Sequence, residues 1–124
     1  MSFSDYDDVK ALVDLYVEGC STGDGAKLVK AFHPRAFVMG HGEKLGFKGH
    51  VPADKYVEIL KETPNLSGPV YAARIRSMDI CGDAGVVVLE EYGFHGHDFC
   101  NYLSVSKLEG GWCITNKTYT CIDK

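Results

Sequence analysis

The stretch FHGHDFCNYLSVSKLEGGWCITNKTY, residues 94–119, decides the fold. Apolar and polar residues alternate through it, and glycines interrupt the alternation at Gly96 and at the Gly110–Gly111 pair. Alternation with a period of two indicates half-buried strands, and short glycine-bearing connections are typical of antiparallel hairpins. The stretch therefore predicts the tip of a hairpin at residues 94–98, followed by adjacent strands over residues 98–108 and 112–121.

The same alternation predicts which side chains share a face. The heavier, more apolar sets are assigned to the face that meets the rest of the domain: Phe99, Asn101, Leu103 and Val105, then Trp112, Ile114, Asn116 and Thr118. The opposite sets are uncharged apart from Lys117: Cys100, Tyr102, Ser104 and Ser106, then Cys113, Thr115, Lys117 and Tyr119. A polar but uncharged outer face is typical of a sheet that packs on a partner sheet, which predicts a homodimer.

Helices come before most of the strands. Apolar spacing of three and four residues predicts a helix from Ser4 to about Gly23, and Asp24 is a candidate N-cap for a second helix that Pro34 ends. A third helix is predicted over residues 52–62, with Tyr56 facing inward. The remaining strands are predicted at residues 36–41, around KLGF at 44–47, and at 71–81 and 84–95. Helices followed by an antiparallel meander indicate an α+β fold, a single domain over residues 1–124 in which helices cover one face of a curved sheet.

Composition excludes several classes of function. The 124 residues carry a net charge of −4 and no basic run, so nucleic-acid binding lacks its electrostatic footprint. The sequence holds no apolar stretch of membrane-spanning length, and its first residues are too acidic and polar for a signal peptide. Five cysteines, with no C-x-x-C pair, predict reduced thiols in a cytoplasmic protein and neither a disulfide framework nor a zinc knuckle.

Two segments resemble a known family. They are YVEGCSTGDGAKLVKAFHPRAFVMGH, residues 16–41, and the opening stretch, residues 94–119. Together they resemble the lumazine-binding branch of the nuclear transport factor 2-like superfamily, which also includes ketosteroid isomerase, scytalone dehydratase and polyketide cyclases. The resemblance implies a cystatin-like cone: a curved antiparallel sheet with about three helices on its concave face, a cavity between them, and a dimer formed sheet against sheet. Asn101 stands where the family's F-x-D-Y pattern has an acid, so any catalytic role of that acid would be lost.

The cone implies a pocket for a flat heteroaromatic or polycyclic small molecule. Its predicted apolar lining is Phe32, Met39, Tyr56, Leu89, Phe99, Trp112 and Ile114, and its predicted polar groups are Tyr16, His41, Glu91, Asn101 and Asn116. No cofactor is predicted. The alternative stays open that these seven apolar residues form an ordinary core that fills the space and leaves no pocket.

Candidate acid/base residues are His41 with Glu91, His33, and Tyr16. Three of these residues also have a structural interpretation: Tyr16 as a core residue, His33 as a helix-end cap, and Glu91 as a solvent-facing carboxylate. His95 and His97 could bind a divalent ion with Asp98, His41 or Glu91 as third ligand, but a glycine between them at a turn leaves their directions undefined. We predict no metal site.

Three functions are compatible with these residues. The first is a dimeric small-molecule-binding protein. The second is a cofactor-free isomerase, dehydratase or cyclase that uses a histidine or an acid in the same pocket. The third is a purely structural dimer module.

Overall fold

The computed structural model of the protein describes residues 3–42, 47–62 and 71–123. Three helices are present: α1 (Phe3–Thr22), α2 (Gly25–Ala31) and α3 (Ala53–Glu62). The apolar spacing of α1 predicts an inward face, of which Val17 is partly buried and the rest are buried: Val9, Leu12, Val13, Tyr16 and Cys20. No helix in the described ranges is long and apolar enough to span a membrane.

The second helix begins where predicted and ends earlier. The carboxylate of Asp24 accepts hydrogen bonds from the backbone of Ala26 and Lys27, so it is the N-cap. The helix stops at Ala31, because Phe32 is already extended and pairs with Ile114 in a strand. The prediction that Pro34 ends this helix is wrong, since Pro34 lies within the strand that follows.

Within the described residues, six strands form one sheet: β1 (Phe32–Gly42), β2 (Phe47–Pro52), β3 (Ala72–Cys81), β4 (Ala84–Phe94), β5 (His97–Leu108) and β6 (Gly111–Cys121). Their order is β2-β1-β6-β5-β4-β3. All neighbours are antiparallel except β1 and β6, which run parallel. The strand predicted around residues 44–47 falls mostly outside the described residues, and β2 begins at its last position. The α+β class and the curved sheet with three helices are as predicted.

A β-bulge in β6 changes the predicted faces. Ser104 pairs with Asn116 whereas Val105 pairs with Ile114, so Thr115 is an extra residue without a partner position on β5. One inserted residue reverses the alternation beyond it. Lys117 and Tyr119 consequently point inward, with 3% and 4% of their surface exposed. The prediction that Asn116 and Thr118 face inward, and Lys117 and Tyr119 outward, is wrong for this reason.

The tip of the β4–β5 hairpin lies where it is predicted. Phe94 pairs with His97, which leaves a two-residue turn of His95 and Gly96. Their φ angles are 51° and 81°, the left-handed pair that a type I′ turn requires. The inward assignment of Phe99, Asn101, Leu103 and Val105 in β5 is confirmed, since all four are buried.

Candidate functional site

Six polar residues meet inside the cone, and we call them the interior cluster: Tyr16, Tyr56, Tyr71, Glu91, Asn101 and Lys117. Helices α1 and α3 contribute one tyrosine each, and Tyr71 immediately precedes β3. Three neighbouring strands, β4, β5 and β6, contribute the carboxylate, the amide and the amine. Every member except Tyr71 has at most 3% of its surface exposed, so the fold encloses this polar site.

Lys117 is the centre of one half of the cluster. Its Nζ donates to the hydroxyl of Tyr16 at 2.6 Å and to the hydroxyl of Tyr56 at 2.8 Å. Aromatic rings surround the same nitrogen, with centroids at 4.5 to 5.9 Å: Tyr56, Tyr16, Tyr119 and Phe94. Cation–π attraction and two short hydrogen bonds partly offset the large cost of burying an amine.

Glu91 is the centre of the other half. Its Oε2 accepts from the Tyr71 hydroxyl at 2.5 Å, and its Oε1 accepts from Asn101 Nδ2 at 2.8 Å. The Tyr16 hydroxyl lies 3.5 Å from Oε1 and therefore joins the two halves. Lys117, Tyr16 and Glu91 form a continuous polar path through the interior.

Asn101 carries an unsatisfied acceptor. Its Nδ2 donates to Glu91 and to the carbonyl of Leu89, but its Oδ1 has no hydrogen-bond partner and is buried. Leaving such an oxygen unpaired costs about 1–3 kcal/mol. A ligand bearing an N–H or O–H group would satisfy this oxygen.

Burial sets the direction of the proton equilibria. Desolvation lowers the pKa of Lys117, and nearby Glu91 only partly opposes this. Desolvation also raises the pKa of Tyr16 and Tyr56 well above the usual value, so both stay protonated hydrogen-bond donors. The amine is thus more easily deprotonated than an exposed lysine, beside two phenols that hold their protons.

Several of the predicted site residues come together in this interior. Tyr16, Glu91, Asn101 and Tyr56 belong to the interior cluster. The predicted apolar residues Phe32, Leu89, Phe99 and Ile114 are all buried in the core around it. Phe32 makes edge-to-face contacts with Tyr16 and Tyr56, which fixes the orientation of both rings.

Other predicted site residues lie elsewhere. Met39 is 42% exposed and His41 is exposed, because on β1 it is Ala36 and Val38 that point inward. Asn116 lies on the outer face beyond the bulge, with its side chain 3.1 Å from Thr118 Oγ1. His33 lies at the start of β1, where its Nδ1 accepts from the backbone of Arg35. The predictions that place Met39, His41, Asn116 and His33 at the interior site are wrong in position.

Trp112 is only partly buried and lines a separate groove of about 760 Å³. This hairpin groove lies between the α2–β1 junction and the β5–β6 hairpin, and Phe32, His33 and Lys107 also line it. The indole Nε1 is buried without a hydrogen-bond partner. Trp112 therefore supports the core from outside the interior cluster.

One group of side chains has a composition that suits a metal ion. His97, Cys121 and Asp123 have potential ligand atoms within 4.8 Å of one another. In the structure His97 Nδ1 lies 2.6 Å from Asp123 Oδ2, and the backbone N–H of Asp98 donates to Asp123 Oδ1. Asp98, His41 and Glu91, the predicted third ligands, do not belong to this group. Imidazole, thiolate and carboxylate are all zinc ligands, but here the histidine and the carboxylate already satisfy each other.

Sequence reasoning missed Lys117, Tyr71 and Tyr119 as interior residues. The bulge at Thr115 has no signature in the sequence, so regular alternation placed Lys117 outside. One signal was present: Lys117 is the single charged residue in an otherwise uncharged set of outer-face positions. A single charged residue on an otherwise uncharged face of a strand indicates either a functional residue or a wrong assignment of the strand register.

The chain belongs to a known family. Residues 4–120 match the family described as "Putative lumazine-binding", and the structural relatives place it in the nuclear transport factor 2-like superfamily. An NTF-2-like protein of unknown function from Silicibacter pomeroyi DSS-3 is 26% identical, with a TM-score of 0.86 over 98% of this chain and 100% of that one. An NTF2-like protein of unknown function from Methylobacillus flagellatus KT is also 26% identical, with a TM-score of 0.83 over 99% and 96%.

A ketosteroid isomerase-like protein from Erwinia carotovora atroseptica SCRI1043 shares the fold at 14% identity, with a TM-score of 0.72 over 95% of this chain and 96% of that one. The search of curated proteins finds no match. The predicted superfamily and branch are confirmed.

Proposed function

We propose that the protein binds a flat heteroaromatic or polycyclic small molecule inside the cone, and that the interior cluster forms hydrogen bonds with the polar edge of this ligand. The observation that carries the proposal is the buried, unpaired Oδ1 of Asn101 beside Glu91. Native proteins rarely leave such an atom without a partner, and a bound N–H or O–H group supplies one. The family description, "Putative lumazine-binding", supports the same class of ligand.

The cluster is complementary to a ring edge that alternates donors and acceptors. Asn101 Oδ1 accepts from an N–H or O–H, and Lys117 with Tyr16 and Tyr56 donates to a carbonyl oxygen. The rings of Tyr56 and Tyr119 lie beside Lys117, so an aromatic ligand that reaches this amine would also contact aromatic side chains. A cyclic amide or imide fused to an aromatic system has this pattern.

A thermal-shift screen against pterins, flavins, steroids and aromatic polyketides tests the proposal. We expect cyclic amides and imides to raise the melting temperature of the wild type, since a ligand that binds only the folded state stabilises it. The matched pair of variants is Asn101→Leu, which removes the acceptor, and Asn116→Leu, which makes the same change on the outer face. Stabilisation retained by Asn101→Leu, or absent for every compound in the wild type, would contradict the proposal.

A second candidate is a cofactor-free isomerase, dehydratase or cyclase in the same site. The observation that favours it is the path from Lys117 through Tyr16 to Glu91, which places a carboxylate near donors suited to a carbonyl oxygen. Such an enzyme would exchange protons next to the ligand's carbonyl with deuterium from solvent. Exchange that is catalysed by the wild type and lost in Glu91→Gln, with binding retained, separates this candidate from a binding protein.

We also propose that the protein is a homodimer through the outer face of the sheet. Register places two uncharged rows side by side across four strands, and we call them the outer-face band: Met39, Thr118, Tyr102 and Val88, and Phe37, Asn116, Ser104 and Val86. Phe37, Met39 and Tyr102 are each more than 40% exposed in the single chain. A second copy of the same sheet would cover these side chains. The neighbouring row of the outer face contains the Arg74–Glu90 ion pair, which forms a charged border of the band.

A further inference from the structure

Lys117 is far more buried than the four lysines that form ion pairs with described residues. Lys10, Lys55 and Lys107 have half or more of their side chains exposed, and Lys27 has 38%. Lys117 is 3% exposed, and its Nζ contacts hydroxyl groups and aromatic rings. The Nζ of Lys117 is therefore held away from water, whereas the side chains of these four ion-paired lysines are 38–63% exposed.

A dry, fixed amine is suited to covalent chemistry. Only the neutral amine is a nucleophile, and desolvation lowers the pKa of Lys117 and so favours that form. The two hydroxyl groups that contact Nζ belong to phenols whose pKa burial raises, so both stay neutral, and the Glu91 carboxylate opposes the lowering of the Lys117 pKa only in part. The aromatic shell also excludes water, which protects a carbon–nitrogen double bond from hydrolysis.

We infer that Lys117 forms an imine with an aldehyde or ketone group of a small molecule bound in the cone. The inference rests on the proposed ligand site and adds a reaction to it. The carbonyl oxygen that Tyr16 and Tyr56 would bind is attached to the carbon that Nζ would attack, because both hydroxyls lie within 2.8 Å of Nζ. Asn101 Oδ1 then accepts from another group of the same ligand.

The reaction balances without any oxidant or cofactor. Nζ attacks the carbonyl carbon, a C–N bond forms, and the C–O π bond breaks. The nitrogen loses one proton and the oxygen gains one, which gives a carbinolamine. The nitrogen then loses its second proton, the hydroxyl group leaves with a proton as water, and the C=N bond forms. Tyr16, which contacts both Nζ and Glu91, is placed to pass these protons, and Glu91 is placed to hold them between steps.

Reductive trapping tests the inference directly. The wild-type protein is incubated at pH 7 with benzaldehyde or naphthaldehyde and sodium cyanoborohydride, which reduces an imine to a stable secondary amine. Peptide mass spectrometry then locates the label. We expect roughly tenfold more label on Lys117 than on Lys10, Lys27, Lys55 or Lys107, because exposed lysines are almost fully protonated at this pH. Equal label on all lysines, or none on Lys117, would overturn the inference.

Variants and an unreactive probe make the result specific. Tyr16→Phe should slow labelling of Lys117 and leave the exposed lysines unchanged, and Lys117→Met should lose the label. Mapping on the wild type does not depend on either variant folding. Benzamide and naphthamide have the same shape and cannot form an imine. If these amides and the aldehydes stabilise the protein but Lys117 stays unlabelled, the imine is excluded and the ligand site stands. If neither series stabilises or labels the protein, both proposals fail.

Discussion

Among single residues, the pairing of Asn101 with Glu91 is the contact on which the proposed ligand site depends. The amide donates to Glu91 and to the Leu89 carbonyl from a buried position. An aspartate there would place two buried carboxylates in contact. Repulsion and desolvation would then disfavour the charged form.

We expect Asn101→Asp to destabilise the protein by roughly 2–4 kcal/mol at pH 8, since the new carboxylate loses both hydrogen bonds and faces Glu91. The pKa of the new acid would be raised in the folded state. Its penalty is therefore full at high pH and shrinks as the pH falls through that raised pKa, where the protonated acid can donate to Glu91. Urea unfolding at pH 8 and pH 5 measures both effects.

Asn116→Asp is the matched control, because it makes the same change on the outer face, away from Glu91. We expect it to cost less than about 1 kcal/mol at either pH. Equal stability of Asn101→Asp and the wild type at pH 8 would show that residue 101 does not contact a buried carboxylate.

His95 provides a second test at this scale. Desolvation, together with Lys117 and His97, lowers the pKa of this half-buried residue. A lowered histidine pKa means that the unfolded state binds the proton more tightly than the folded state. Stability should therefore fall as the pH drops from about 6.5, the unperturbed value, toward the lowered pKa.

The difference in unfolding free energy between pH 7 and pH 5.5 should be smaller in His95→Asn than in the wild type. Asparagine accepts the left-handed conformation of the turn but cannot be protonated. An identical pH dependence in the two proteins would remove His95 as a cause.

At the scale of elements, the bulge in β6 decides which side chains form the site. Thr115 is the extra residue, so the pairing on both sides of it is already in register. Deleting Thr115 should leave Lys117 and Tyr119 inside and Thr118 outside, at a cost on the order of 1–3 kcal/mol for lost twist and the hydrogen bond to Ser104.

Deleting Thr118 is the matched control, because it shifts a regular part of the strand and turns Tyr119 outward. We expect the Thr115 deletion to give a cooperative thermal transition and the Thr118 deletion to give none. If the Thr115 deletion abolishes folding and the Thr118 deletion does not, the assignment of the bulge is wrong.

The sequence predicts the elements better than it predicts the site. Hairpin positions follow from glycine, and the first helix follows from its apolar spacing, because both are local signals. The direction of Lys117 depends on one inserted residue, which only the pairing with β5 reveals. The prediction places Met39 and His41 on the inward face of the first strand. In the structure this strand starts at Phe32, and Ala36 and Val38 point inward, so Met39 and His41 point outward. Glu91 and Asn101 were found because they lie on regular strands.

At the scale of the whole molecule, the outer-face band predicts self-association. Tyr102→Glu places a charge at an exposed position in the middle of the band. Burying an unpaired carboxylate in a sheet-on-sheet contact is costly, so we expect the variant to be monomeric by analytical ultracentrifugation at micromolar concentration, where we expect the wild type to be a dimer.

Val29→Glu is the matched control, because Val29 is 59% exposed on α2 and outside the band. It should leave the dimer intact. A monomeric wild type would exclude the proposed interface.

We propose that the cone interior, and not the hairpin groove, is the ligand site. Intermolecular nuclear Overhauser effects between a stabilising ligand and the protein test this most directly, because aromatic residues mark both places. We expect contacts from ligand protons to the rings of Tyr16, Tyr56 and Tyr119, which surround Lys117. Contacts confined to the indole of Trp112 and to Leu108, which line the hairpin groove, would contradict it.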